Sequence, residues 1–186
     1  MFKRILVAID GSPASNAGLR SAAALAADQR ATLLALHVVD DSAILTGFDS
    51  SNFPSSYVDA WVETLRTNGR KALTKAGAFA RDQGVELQPV LAEARGQTVA
   101  HAIVQQARRL KADVIVLGTH GRRGLRRVLL GSDAEAVVRE ASVPVLLVRS
   151  ADRATRRSSA AAKRNAPVAR AIRKSGTHAP NVNAAR

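Results

Sequence analysis

Five short, continuously apolar segments alternate along the chain with segments of helical periodicity. The apolar segments are Ile5–Ile9, Thr32–Val39, Val85–Leu91, Val114–Leu117 and Val145–Val148. They are rich in valine, isoleucine and leucine and lack the strict polar–apolar alternation of a sheet with one wet face, so they predict strands covered on both faces. Between them, apolar residues recur every three or four positions, as from Val99 to Leu110. Five strands alternating with four helices predict an α/β fold, with a single doubly wound parallel sheet and helices on both faces.

Two of the predicted helices begin with capping signals. Ser12 and Pro13 place a hydroxyl side chain immediately before a proline, which predicts a first helix that begins at Pro13 and is capped by Ser12. Ser132 and Glu135 have the spacing of a capping box. We therefore expect Ser132 to cap the fourth helix.

The positive charge of the chain is concentrated in its last part. The formal net charge is +13. Residues 151–186 hold nine lysines and arginines and one acidic residue, a net charge of +8, and the helical and strand patterns stop before them. We predict a domain over residues 1–150 and a disordered, basic, Ala/Arg-rich tail over residues 151–186. Such a tail suits weak, salt-dependent, non-specific contact with nucleic acid, while the scarcity of aromatic residues argues against a platform on which bases stack.

Several classes of protein are excluded by residues that the chain lacks. It contains no cysteine, which rules out disulfide scaffolds, cysteine zinc sites and thiol nucleophiles. The apolar run after Met1–Arg4 spans only Ile5–Ile9, whereas a signal peptide needs roughly 7–15 apolar residues. We therefore expect a cytoplasmic protein without a membrane span.

The segment Gly118–Ser132 has the chemistry of a phosphate site. It begins where the fourth strand ends, at the edge where open α/β sheets bind ligands. Its glycines allow close backbone approach, and the following helix offers unpaired N–H groups to an anion. Four arginines add positive charge: Arg122, Arg123, Arg126 and Arg127. The chain has neither a Walker loop nor a G-x-G-x-x-G motif after its first strand.

The spacing of the glycines in this segment resembles the motif of a known protein family. Gly118, Gly121, Gly131 and Ser132 form the pattern G-x2-G-x9-G-S. Together with ILVAIDGSPAS near the start and VPVLLVR at Val143–Arg149, this pattern resembles the nucleotide-binding branch of the universal stress protein family. The resemblance covers residues 1–150 and leaves the tail outside. It implies the strand order 3-2-1-4-5 and a homodimer paired through the last strand.

The resemblance also implies a ligand and the residues that bind it. The ligand is ATP, with or without Mg²⁺ or Mn²⁺. Asp10 is expected to contact the adenosine part, and Val38 is expected to contact adenine through its main chain. The residues of the glycine pattern are expected to bind the ribose and phosphates; they are Gly118, Gly121, Gly131 and Ser132.

Structural roles for some of these residues stay open beside the binding roles. Asp10 also suits a turn with Gly11 and Ser12, and Ser132 also suits a cap alone. Asp133 stands where the family more usually has a neutral residue, and we expect it to face outward and complement the helix dipole. His37 falls within a strand and is assigned a structural role.

No catalytic residue and no metal site can be assigned from the sequence. The four histidines are scattered, and none has an evident partner for general-base chemistry. The leading hypothesis is an ATP-binding stress-response or regulatory protein with at most slow ATP hydrolysis, in which nucleotide tunes stability or the dimer and partner surface. The alternative is an interaction module whose basic tail binds acidic partners or nucleic acid, with ATP incidental. An adenylyl-transferring enzyme ranks last because no SGGxDS or HIGH motif is present.

Overall fold

The computed structural model describes residues 1–42, 55–119 and 130–149. Its strands are β1 (Arg4–Ala8), β2 (Thr32–Val39), β3 (Leu87–Glu93), β4 (Val114–Gly118) and β5 (Val145–Val148). Its helices are α1 (Pro13–Gln29), α2 (Ser55–Asp82), α3 (Val99–Arg109) and α4 (Ser132–Glu140). The predicted alternation of strands and helices is confirmed over this part of the chain.

The strands form one parallel sheet in the order β3-β2-β1-β4-β5. This is the order that the family resemblance implies. The chain builds outward from β1 through β2 to β3 and then crosses to β4 and β5 on the other side. The order therefore reverses between β1 and β4, and the carboxyl ends of these two strands flank the crevice where open α/β sheets hold ligands.

Each face of the sheet is covered by a separate apolar cluster. Val7 and Leu33 pack with α1 and α2 on one face, and Leu6 and Leu34 pack with α3 and α4 on the other. Consecutive residues of β1 and β2 thus enter opposite cores, and Ile5, Leu6 and Val7 are all fully buried. This two-sided burial explains why the strands are continuously apolar in sequence.

The prediction for the third strand is displaced by two residues, from Val85–Leu91 to Leu87–Glu93. Gly84 has a φ of 67°, and the N–H of Val85 donates to Ala80 O at 2.9 Å. Val85 is buried against the end of α2 and terminates that helix. The strand therefore starts later and continues to Glu93, which is paired with Val39.

The two edges of the sheet differ in chemistry. On β5, the outer strand beside β4, the side chains of Leu146 and Leu147 are 41% and 37% exposed. On β3, the other outer strand, the exposed residues include Gln88 and Pro89. Proline has no N–H to offer to a further strand and is typical of blunted edges. None of the helices in the described ranges combines the length and hydropathy needed to cross a membrane.

Candidate functional site

The turn after β1 is closed by its own side chains. Ser12 N–H donates to Asp10 Oδ1 at 2.9 Å, and Gly11 between them has a φ of 81°. Ser12 Oγ accepts from Ser15 N–H at 3.1 Å, which confirms the predicted cap of α1. The half-buried carboxylate of Asp10 is therefore held at the top of β1. This hydrogen bond is the turn-shaping role expected as one alternative, and it is compatible with ligand contact because a carboxylate has several acceptor positions.

Gly118, at the end of β4, lies directly against the first turn of α1. A Cβ atom added at Gly118 would lie 2.5 Å from Ala14 C, 2.6 Å from Ala14 O and 2.8 Å from Ser15 N. One turn further along α1, a Cβ at Gly18 would lie 3.4 Å from Gly118 N. The first glycine of the pattern therefore has a packing role: it lets α1 reach the end of β4. Sequence reasoning missed this role, and Gly18 within the alanine-rich α1 was the available signal.

The glycine pattern begins and ends at the same point in space. Gly131 N–H donates to Thr119 O at 2.9 Å, so the chain returns to the end of β4 after leaving it. Thr119 is buried, and its N–H donates to Val148 O at 2.9 Å. Gly118 and Gly131, thirteen positions apart in sequence, thus meet beside β5. Gly121, His120 and the four arginines of the pattern lie outside the described residues.

The predicted cap of the fourth helix is wrong. Gly131 is the N-cap residue of α4 and Ser132 is its first helical residue, and no side chain caps the helix. Gly131 is fixed in this position because its N–H bonds to Thr119 and its carbonyl accepts from Glu135 N–H at 2.9 Å. The first turn of α4 therefore presents its N–H groups at the ligand edge of the sheet. Ser132 and Asp133 are exposed there, and the outward placement of Asp133 is as predicted.

Val38 lies near the carboxyl end of β2, paired with Ala92 of β3. Its half-buried side chain packs against the core on the α3 and α4 side. The last ladder bond from β1 toward β2 runs from Ile9 N–H to Leu36 O at 2.8 Å. Val38 lies two residues beyond this bond, at the same carboxyl edge of the sheet at which Asp10 follows β1.

The acidic residues at the carboxyl ends of β2 and β3 are bonded to neighbouring protein groups. Asp40 Oδ1 accepts from Ser42 N–H at 3.1 Å, and Asp41 Oδ1 accepts from Gly96 N–H at 3.2 Å. Glu93 Oε1 lies 2.7 Å from Arg66 Nη2, and this hydrogen-bonded pair raises the pKa of the Arg66 guanidinium. Within the three described ranges, no group of three His, Asp or Glu side chains could hold a metal ion.

Comparison with known proteins places these features in a family. The universal stress protein family matches residues 1–149. A universal stress protein of Methanocaldococcus jannaschii is 35% identical over 152 residues, covering 80% of this chain and 83% of its own length. Universal stress protein YxiE of Bacillus subtilis is 33% identical over 151 residues, covering 80% of this chain and all of its own.

Solved structures agree with the sequence relatives. A universal stress protein family member from Burkholderia pseudomallei has a TM-score of 0.63 at 35% identity, covering 78% of this chain and 95% of its own. Two further solved universal stress proteins are described as complexes, one with cAMP at 22% identity and a TM-score of 0.55, and one from Archaeoglobus fulgidus with dAMP at 24% and 0.53. At these identities the likeness shows the fold alone. The match over residues 1–149, together with the sequence relatives, shows that the chain belongs to the universal stress protein family.

Proposed function

We propose that this chain is an adenine-nucleotide-binding regulatory protein, with ATP as its ligand and little or no catalysis. The observation that carries the proposal is the meeting of three chain segments at the crevice where the strand order reverses. Asp10 follows β1, Val38 is the penultimate residue of β2, and Gly118 ends β4 against α1. Ligands bind at this place in open α/β sheets.

The site divides into a nucleoside half and a phosphate half. In the proposal, Asp10 contacts the adenosine part and the main chain of Val38 contacts adenine. Gly118, Gly121, Gly131 and Ser132 take the ribose and phosphates. The first turn of α4 has no side-chain cap, so its N–H groups and the positive end of its dipole suit a phosphate anion.

The fold accommodates adenine nucleotides in other proteins. Two universal stress proteins of the same fold are described as complexes with cAMP and dAMP. Because their likeness to this chain is in fold alone, the case for ATP rests on the glycine pattern of this sequence and on the placement of its two ends. We include Mg²⁺ or Mn²⁺ in the proposal only as an ion that accompanies the phosphates.

The described part of the site offers poor support for fast hydrolysis. Phosphoryl transfer to water needs a group that positions the water and charge that stabilises the transition state. In the proposal Asp10 contacts the adenosine part rather than a water at the phosphates, and the four arginines of the pattern supply charge rather than a base. We therefore propose that any ATP turnover is slow and that nucleotide acts by tuning stability or surfaces.

In the proposal the chain forms a homodimer through β5, and bound nucleotide alters this dimer interface. Leu146 and Leu147 expose apolar side chains on this edge strand, and Val138 of α4 is exposed as well. Val148 at the end of β5 is bonded to Thr119, where the glycine pattern leaves β4. A ligand bound by the pattern would therefore lie close to a residue of the proposed dimer edge. We place this dimer in the cytoplasm, with residues 1–150 as its folded domain.

Thermal unfolding with and without nucleotide tests the proposal. A ligand at about 100 times its Kd adds roughly 2.7 kcal/mol to stability, which for a chain of this size is about 5–11 °C in Tm. We expect this shift with ATP and its loss in Gly131→Val, because a β-branched side chain blocks close approach to the phosphates. Gly77→Ala in α2 is the control, since a Cβ there meets nothing within 4 Å. An unchanged Tm at millimolar ATP and Mg²⁺ would refute the proposal.

A second candidate function follows from the tail. Residues 151–186, with a net charge of +8, lie beyond the family match. In this alternative the tail binds an acidic partner or nucleic acid non-specifically, and ATP is incidental. Deleting residues 151–186 should then abolish salt-dependent retention on DNA. Unchanged retention after the deletion would refute this role for the tail.

A further inference from the structure

His37 is a buried histidine that bonds to the end of the neighbouring strand. It lies in β2 immediately before Val38, and its side chain is 6% exposed. Its Nδ1 is 2.8 Å from Ile9 O. Because a carbonyl oxygen only accepts, Nδ1 carries a proton and donates it. The ring therefore holds the carbonyl that immediately precedes Asp10.

This bond stands where a ladder bond would otherwise form. Ile9 N–H donates to Leu36 O at 2.8 Å. In a parallel ladder that continues, Ile9 O would next accept from the N–H of Val38. In this part of the described chain the carbonyl accepts from the His37 ring rather than from the Val38 main chain. The strands thus separate after Leu36 without leaving Ile9 O unpaired.

On its other side, the His37 ring packs closely against α2. A Cβ added at Gly69 would lie 2.5 Å from His37 Cδ2, 3.1 Å from His37 Nε2 and 2.7 Å from Leu91 Cδ1. Glycine in a helix interior costs about 1 kcal/mol relative to alanine, and this contact is a packing reason for its presence. The ring is thereby held between the backbone of α2 and the end of β1.

We propose that His37 is the positioning residue of the nucleoside half of the site. Its Nδ1–H holds Ile9 O and so fixes where Asp10 leaves β1. By taking the place of the Val38 N–H on that carbonyl, it keeps the Val38 main chain available to adenine. This inference rests on the proposed nucleotide function and assigns to His37 an effect on affinity that acts through Asp10 and Val38.

Two pairs of variants separate this role from a general effect on folding. In His37→Asn the amide nitrogen is bonded to Cγ, as Nδ1 is, so a donor is kept near Ile9 O. His37→Leu and His37→Gln are comparable in size but place no donor at that position. Gly69→Ala pushes the ring from the α2 side, and Gly77→Ala in the same helix is its matched control.

The measurement is the Kd of each variant for AMP and for ATP by isothermal titration calorimetry, at a temperature where circular dichroism shows it folded. We expect His37→Leu, His37→Gln and Gly69→Ala to weaken both ligands by the same factor, about tenfold, or roughly 1.4 kcal/mol. His37→Asn and Gly77→Ala should stay within about threefold of wild type, which is below 1 kcal/mol. Equal losses for AMP and ATP locate the defect at the nucleoside, since the two ligands differ only in their phosphates.

Three results would overturn the inference. Wild-type affinity in folded His37→Leu or His37→Gln would show that the Ile9 contact does not position the site, while leaving the proposed function intact. A loss confined to ATP would place the effect at the phosphates and contradict it. If wild-type protein bound neither ligand, the proposed function would fail first and the inference with it.

Discussion

Gly118→Ala tests whether the first glycine of the pattern is required for packing. The added Cβ would lie 2.5–2.8 Å from backbone atoms of Ala14 and Ser15, and no backbone can rotate away as a side chain does. Overpacking a well-packed core costs about 1–3 kcal/mol. Because the clash is with backbone in the first turn of α1, we expect the upper part of this range, about 2–3 kcal/mol. At about 2–4 °C per kcal/mol, Tm should fall by about 4–12 °C.

The assay is thermal unfolding of ligand-free protein followed by circular dichroism, with two further glycines as a graded series. At Gly18 an added Cβ meets Gly118 N at 3.4 Å, the near limit of ordinary contact, so this contact should offset the gain from replacing a helix glycine and Gly18→Ala should change Tm little. At Gly77 it meets nothing within 4 Å, so Gly77→Ala should stabilise α2 by about 0.5–1 kcal/mol. If Gly118→Ala unfolded at the wild-type temperature, or if the order of the three were reversed, the packing role of Gly118 would be wrong.

Three further predictions address other parts of the structure. Asp113 Oδ2 accepts from the backbone N–H groups of Lys3 and Arg4 at 2.6 and 2.8 Å, and these bonds lower the pKa of the carboxyl. The ionised carboxylate therefore stabilises the fold at pH values above its ordinary pKa of about 3.9, and this stabilisation is lost as the pH falls through the lowered pKa. Asp113→Asn should therefore lose Tm at pH 7 and approach wild type in acid, whereas a deficit independent of pH would contradict this. Ser12→Ala should cost about 1 kcal/mol in urea unfolding through loss of the α1 cap, and an unchanged midpoint would argue against it. The double variant Leu146→Lys, Leu147→Lys should convert the proposed dimer to a monomer, as measured by light scattering. Gln88→Lys on the β3 edge should leave the dimer intact. A dimer that survives the double substitution would rule out the β5 interface.

The elements that could be predicted from sequence are those whose signal is local. β2 matches its predicted bounds because it is a central strand whose successive residues, such as Leu33 and Leu34, enter opposite cores. β5 also matches its predicted bounds, although Leu146 and Leu147 are exposed at the edge of the sheet. The start of α1 was predictable because Ser12 and Pro13 act within one turn. The start of β3 was misplaced because apolar Val85 serves to end α2 rather than to extend the sheet.

The position of the candidate site in the fold could be predicted from the sequence, but the contacts around its residues could not. The glycine pattern and the end of β1 indicated the crevice between β1 and β4. The cap of α4 was misassigned because Gly131 is fixed by Thr119 rather than by a capping box. The roles of Gly118 and His37 depend on contacts with Ala14, Ile9 and Gly69, which are distant along the chain. The spacing of residues within one segment of the sequence cannot predict such contacts.

Native mass spectrometry of freshly purified protein tests the central claim most directly, because one spectrum reports both subunit number and bound nucleotide. We expect a dimer that carries one adenine nucleotide per chain, or that takes up one per chain when ATP and Mg²⁺ are added. Gly131→Val should give a dimer without nucleotide. Wild-type protein that remains free of nucleotide after incubation with millimolar ATP would contradict the proposed function.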